Sequence, residues 1–229
     1  MLQKLTRPSL RALRQFGFGA FIALILAACT SKAPDHPFLP WDITLFPDGT
    51  SAVFGAHLGV DSLLDFKRLY NQKADLAIFK DPDKKTSLEA YFGPTDVGAL
   101  SANVAIVASV DEKLLDSWIS TDHAKPDPTP SGAWKYPMSD EQIRTAQNFP
   151  IESITYKPSA DYAESLIERR FGKPESIRHA NEASAYWLYP TKGLLIIVNK
   201  EGRDLFQYIA PKDFAKLVAS IPPDAPSSK

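Results

Sequence analysis

Ala183-Ser184-Ala185-Tyr186-Trp187-Leu188-Tyr189, then Leu194-Leu195-Ile196-Ile197-Val198, then Leu205-Phe206-Gln207-Tyr208-Ile209: these three runs decide the fold class. Each is short and rich in aromatic and branched residues, the composition of β-strands. Asn199-Lys200-Glu201-Gly202 is a turn between the last two, and strands this close in sequence pair antiparallel. A fourth strand is expected near Glu175–His179. Upstream, Tyr162, Leu166, Ile167 and Phe171 recur at helical spacing and predict a helix near Asp161–Phe171. Gly172 and Pro174 end it, one by tolerating positive φ and the other by lacking an amide hydrogen. Downstream, Pro211 sits where a first helical residue would, and Phe214, Leu217, Val218 and Ile221 give that helix one face. Ile151–Tyr156 opens this half as a further strand.

The same order of parts occurs earlier. Trp41–Phe46 and Ala52–Leu58 are apolar runs around the turn Pro47-Asp48-Gly49, a hairpin signal. Ser62 can cap a helix carrying Leu63, Phe66, Leu69 and Tyr70, and Asn71 is placed to end it in a left-handed conformation. Strands are expected at Leu76–Phe79, Ser87–Phe92 and Leu100–Val110, and a short helix at Glu112–Ile119. Leu69-Tyr70-Asn71-Gln72-Lys73 matches Arg170-Phe171-Gly172-Lys173-Pro174, and Tyr91-Phe92-Gly93-Pro94-Thr95 matches Leu188-Tyr189-Pro190-Thr191 more loosely. The expectation is therefore an α+β protein of two similar half-domains, 41–120 and 151–221, each a helix packed on a small antiparallel sheet. Between them, 121–150 reads as a stiff linker with Pro126, Pro128 and Pro130, then a helix opened by the capping box Ser139–Gln142. Residues 222–229 read as a flexible tail.

Composition narrows the function classes. The chain has 229 residues, 44% hydrophobic and 23% charged, with net charge −1. That is a folded globular composition, long enough to bury a core without disulfides. Residues 1–28 carry Lys4, Arg7, Arg11 and Arg14 and no acid. Setting those four aside leaves 22 basic against 27 acidic residues, or −5 over residues 29–229. A mildly acidic body lacks the concentrated positive field that nucleic acids require.

The basic front is followed by 13 uncharged residues, Phe16 to Ala28. That suits the apolar core of a secretory signal and is too short for a permanent membrane span. The stretch ends Leu26-Ala27-Ala28-Cys29, which resembles a bacterial lipobox. The resemblance implies a signal peptide over 1–28, acylation of Cys29, and anchoring of the body in the bilayer. Thr30, rather than Asp, implies sorting to the outer membrane with the body facing the periplasm, the inner membrane being the alternative. Residues 29–40 then form a short lipidated tether, which keeps the body within about 35 Å of the surface. Cys29 is the one cysteine, so no disulfide and no Cys-ligated zinc site is available.

Catalytic patterns are not found. His36, His57, His123 and His179 show no metal-ligand spacing, and no G-x-S-x-G elbow or phosphate-cradling glycine loop occurs. Asp81-Pro82-Asp83 runs into Lys84 and Lys85 where a calcium loop would supply oxygens. Asp111/Glu112 and Asp140/Glu141 open predicted helices, where the dipole accounts for them. No cofactor and no metal is expected. Aromatics are plentiful instead, and on the strand Ala185–Tyr189 they fall on both faces. Burial of both faces is one reading; the other makes Trp187 and Tyr189 a candidate binding surface.

Phe171-Gly172-Lys173-Pro174 at a helix end, Tyr186-Trp187-Leu188-Tyr189 on a strand, and Gly193-Leu194 followed by Gly202 carry a resemblance over Asp161–Ala210. This segment resembles small outer-membrane lipoproteins of the SmpA/OmlA (BamE) type and, more broadly, the β-lactamase-inhibitor-like module. The chain as a whole is similar to proteobacterial lipoproteins. The resemblance implies helices against a three-stranded antiparallel sheet and action by protein binding, with no catalytic residue. The expected function is thus a membrane-anchored, non-catalytic binding or scaffolding module for an envelope protein. The alternatives are an inhibitor or small-ligand-sequestering lipoprotein, or an enzyme whose site assembles from residues far apart.

Overall fold

The computed structural model describes residues 38–223 apart from 84, 98–99 and 122–124. The signal segment, Cys29, the tether up to residue 37, His36, His123 and the tail from 224 lie outside the described residues. His36–Lys229 is one compact unit. It opens with strands β1 (Thr44–Leu45), β2 (Ser51–Val53) and β3 (Ala56–His57), then helix α1 (Leu63–Tyr70). Strands β4 (Asp75–Lys80), β5 (Thr86–Val97) and β6 (Leu100–Ala108) follow, then α2 (Glu112–Thr121). Next come β7 (Asp127–Pro128), β8 (Trp134–Tyr136), α3 (Asp140–Ala146) and β9 (Ile151–Pro158). The last part is α4 (Glu164–Phe171), β10 (Ser176–His179), β11 (Ser184–Tyr189), β12 (Leu194–Asn199), β13 (Leu205–Ile209) and α5 (Phe214–Ala219).

Local chemistry explains the ends of these elements. Ser62 and Asp65 form a reciprocal capping box at α1, and Ser139 and Gln142 do the same at α3. Asn71 closes α1 at φ 48°, ψ 38°, where a short polar side chain tolerates the left-handed conformation. The run Ala52–Leu58 is not one strand. Phe54 (φ 54°) and Gly55 (φ 72°) break it into the β2–β3 hairpin. The Phe54 carbonyl accepts the Tyr70 hydroxyl at 2.9 Å, so α1 holds this turn in place. Helix α4 starts at Glu164 rather than Asp161, whose carboxylate instead meets Arg203 at 3.2 Å.

Beside the small β1-β2-β3 sheet, all other strands form one antiparallel sheet of ten, ordered β10-β11-β12-β13-β9-β6-β5-β4-β8-β7. Mixed α+β is thus observed. The segments 41–120 and 151–221 meet where β6 pairs with β9, from Ala102 opposite Pro158 to Ala108 opposite Ile151. In each segment a helix precedes consecutive strands that step toward the middle of the sheet, β4-β5-β6 in one and β10-β11-β12-β13 in the other. The 121–150 reading needs correction. Its first part adds β7 and β8 to the outside of β4, with Tyr136 opposite Ile78. Pro128 is tolerated there because an outermost strand has no use for its missing amide.

The sheet has two unlike faces. On the helix face, α1 and α4 set Leu63, Phe66, Ile167 and Phe171 against Val104, Ile106, Ile154, Tyr156, Ile196 and Phe206. These belong to a single core running through both segments, each large side chain contributing about 1.5–3 kcal/mol. On the other face, α5 covers only the β11–β13 end, with Phe214 against Leu188, Leu195 and Ile209. No helix among the described residues is long and apolar enough to cross a membrane.

Candidate functional site

Trp187 and Tyr189 do not form a surface. They point to the helix face at 6% and 1% exposure. The Tyr189 hydroxyl donates to the Gly172 carbonyl at 3.1 Å, and its ring lies 6.4 Å from Phe171. Burial pushes its hydroxyl pKa up. The opposite face of β11 is taken as well, because Leu188 is buried beneath α5. Covered by α4 on one side and α5 on the other, β11 is a two-sided core strand. The neighbouring run Leu194–Val198, apolar at every position, carried that signal in the sequence.

The uncovered part of the sheet lies elsewhere, on β4, β5, β6 and β9. Ala77, Glu89, Val107 and Ser153 form one cross-strand row, and Asp75, Tyr91, Ala105 and Thr155 form the next. Between them, Leu88, Ala90, Val104 and Ile106 point the other way into the core. Tyr91 is 46% exposed and donates its hydroxyl to Asn103 Oδ1 at 2.8 Å. Glu89 is half-buried, accepts from Ser87 Oγ at 3.1 Å, and has no ion-pair partner among the described residues. Burial pushes its carboxyl pKa up; the Ser87 hydroxyl opposes this and the Asp81 charge adds to it.

Glu89 stands where two hollows meet. One, of about 250 Å³, is lined by Ala77, Phe79, Tyr91, Ala105 and Lys135. The other, of about 390 Å³, runs past Ser87, Val107 and Ser153 to the wall made by Lys216 and Leu217 of α5. Small side chains make the hollows, since Ala and Ser leave room above the sheet. Ion pairs stand at the rims, Lys135 with Asp75 and Lys216 with Asp213, both at 2.8 Å.

His57 also has partners that sequence spacing did not disclose. Thr50 Oγ1 lies 2.6 Å from both Asp48 Oδ1 and His57 Nε2, and the His57 ring stacks on Phe46 at 4.1 Å. The Thr50 hydroxyl and amide hold the Asp48 carboxyl below its usual range. The hydroxyl therefore gives its proton to the carboxylate and accepts from the imidazole. A nucleophile needs the reverse, with a base positioned to take its proton. Thr50 is 2% exposed, so this chain of bonds ties the turn between β1 and β2 to β3. A second polar knot is Asp204, which accepts the Asn199 amide at 3.0 Å and the Tyr162 amide, fixing the β12–β13 turn. Among the described residues no group of three or more His, Cys, Asp or Glu is placed to hold a metal ion.

Compared with known proteins, the chain matches no family model, no curated protein and no solved structure.

Proposed function

We propose that this chain is an envelope lipoprotein, anchored through acylated Cys29, that binds or scaffolds a protein partner on the open face of its sheet. The observation that carries this reading is the half-covered sheet: β4, β5, β6 and β9 are packed on one side only, and their other side presents Tyr91 and Glu89, which has no ion-pair partner among the described residues, beside two hollows. An exposed tyrosine among small residues is the composition of a surface that receives a partner's side chains. The way the chain joins the body fits a tethered module. The Pro40 carbonyl accepts the buried Tyr208 hydroxyl at 3.0 Å, and Trp41 packs on Phe171 beneath the Arg170 guanidinium. Pro40 and Trp41 thus pack on the helix face, opposite the open one.

The duplication belongs to the same proposal. Counting from β10 to β4, four strands stand on each side of the β13–β9 join. Helix α1 leads into β4-β5-β6 as α4 leads into β10-β11-β12, and the matched segments Leu69–Lys73 and Arg170–Pro174 are the two helix ends. Two copies of one helix-and-meander unit, side by side, account for that order.

Photo-crosslinking in living cells tests the reading, with probes replacing Glu89 and Tyr91 and a control at Arg68 on α1. A discrete protein adduct from the open-face probes alone is the expected result. Adducts from Arg68 alone, or none from any site, would sink the open-face assignment.

A further inference from the structure

The ten-stranded sheet has two ends, and they differ chemically. At one end β7 is two residues long, contains Pro128, and is flanked by Pro126 and Pro130. That edge cannot extend a ladder, because the prolines have no amide hydrogen to donate. At the other end β10 carries no proline, and among the described residues β11 is the one strand paired with it. The direction of its main-chain groups follows from its neighbours. The Lys200 amide donates to the Ala183 carbonyl, so odd-numbered residues of β11 bond to β12 and even-numbered ones to β10. The Ala180 amide donating to the Ser184 carbonyl at 3.0 Å gives the same phase. Residues 176 and 178 therefore bond inward, and the N–H and C=O of Ile177 turn outward. The Ile177 side chain, on the Trp187 side, is 43% exposed.

We infer that β10 is a self-association edge, and that two copies of this chain pair antiparallel through it with Ile177 on the two-fold axis. Symmetry allows few registers. Across a two-fold perpendicular to the sheet, paired residues must point to the same face, so each register is centred on a single residue. Centring on Arg178 sets two guanidinium groups against each other, a repulsive pair. Centring on Ser176 makes Glu175 the partner of Ile177 in both bonded pairs, and each loses a hydrogen bond because the Glu175 amide is already held by the Leu188 carbonyl at 2.9 Å. Centring on Ile177 uses its outward N–H and C=O in two reciprocal hydrogen bonds. It also stacks the two exposed isoleucines and sets Ser176 opposite Arg178 of the second copy. With one pairing edge and one proline-blocked edge per copy, association closes at two and does not propagate into a fibre.

Four residues per copy bury little area, well below the roughly 1,200 Å² of a stable interface, so the dimer is weak in free solution. Confinement on a bilayer would raise the local concentration into the millimolar range, a step that rests on the proposed lipid anchor. The pairing itself does not, and it is tested on residues 36–229 in solution. This compact unit contains every described strand and helix and no cysteine.

Sedimentation equilibrium up to about 1 mM should show reversible dimers. Ile177→Pro removes one outward donor and leaves the bonds to β11 intact; association is expected to weaken about tenfold or more. Ile177→Lys should do the same with its main chain unchanged, and both variants should keep the native far-ultraviolet spectrum. Under mild oxidation Ile177→Cys should form a disulfide dimer much faster than Lys157→Cys. A strictly monomeric protein, a dimer undisturbed by both Ile177 variants, or equal oxidation rates would each overturn the inference.

Discussion

Tyr208 joins the start of the folded body to its centre, and removing one oxygen atom tests that join. Its ring is fully buried on β13, edge-on to Phe54 at 5.3 Å. Its hydroxyl donates to the carbonyl of Pro40, 168 residues away. Tyr208→Phe keeps the ring and its packing and leaves a buried carbonyl without a donor, which costs about 1–3 kcal/mol. Tyr156→Phe is the matched comparison. The Tyr156 hydroxyl meets that of Tyr162 at 3.1 Å, and Tyr162 is half-exposed and can turn to water. Its loss should cost about 0.5–1 kcal/mol, the ordinary net value of a replaceable bond. Urea unfolding of residues 36–229 measures both differences, with unchanged slopes showing that the same surface is exposed. Chymotrypsin supplies the second readout. Cleavage after Phe38 or Trp41 should quicken in Tyr208→Phe more than its global stability predicts, because Phe38–Trp41 has lost its central bond. Equal costs for the two variants, or unchanged cleavage near residue 40, would refute the idea that this hydroxyl fastens the segment Phe38–Trp41.

Two further substitutions probe single atoms. At Gly193, φ is 64° and an added Cβ would fall 1.9 Å from the Ile209 carbonyl oxygen, a backbone atom that cannot step aside. Gly193→Ala should cost more than about 4 kcal/mol or prevent folding. Gly172→Ala, at φ 82° and ψ −179° in a region that favours glycine but with open space around it, should cost less, about 1–3 kcal/mol in thermal melts. At Glu89 the folded protein holds the proton more tightly than the unfolded chain does. Stability should therefore fall as pH rises from the ordinary carboxylate range through the raised folded value. Glu89→Gln should remove that fall and melt higher than the parent at pH 7. Parallel melting curves for the two proteins from pH 4 to 7 would show that the carboxylate is not strained by burial.

Ser62, Ser139 with Gln142, Asn71 and Gly172 could be read as helix ends because a cap is made within a few residues of chain. The strands of 151–221 were legible for a similar reason, as turn residues bracket each apolar run. The β6–β9 pairing was not, since no local pattern says which two strands from distant segments will meet. Nor was the fate of Trp134-Lys135-Tyr136, three residues whose only reason to be a strand is the β4 edge beside them.

The open face shows best why aromatics mislead in a strand-rich chain. Trp187 and Tyr189 stand out by size, yet size is what a two-sided core strand uses to reach both α4 and its neighbours. On β6, Ser101, Asn103, Ala105 and Val107 alternate with Ala102, Val104, Ile106 and Ala108. Because Ala and Val occur on both sides, Val104–Ala108 is uniformly apolar and its two faces do not separate by composition. They separate only when a second layer covers one of them. The quieter signal was at Glu89, a charge set one residue from Leu88 and Ala90 in a strand with core on one side. A carboxylate there costs least when its face lies toward water, so the face it marks is the one left without a layer.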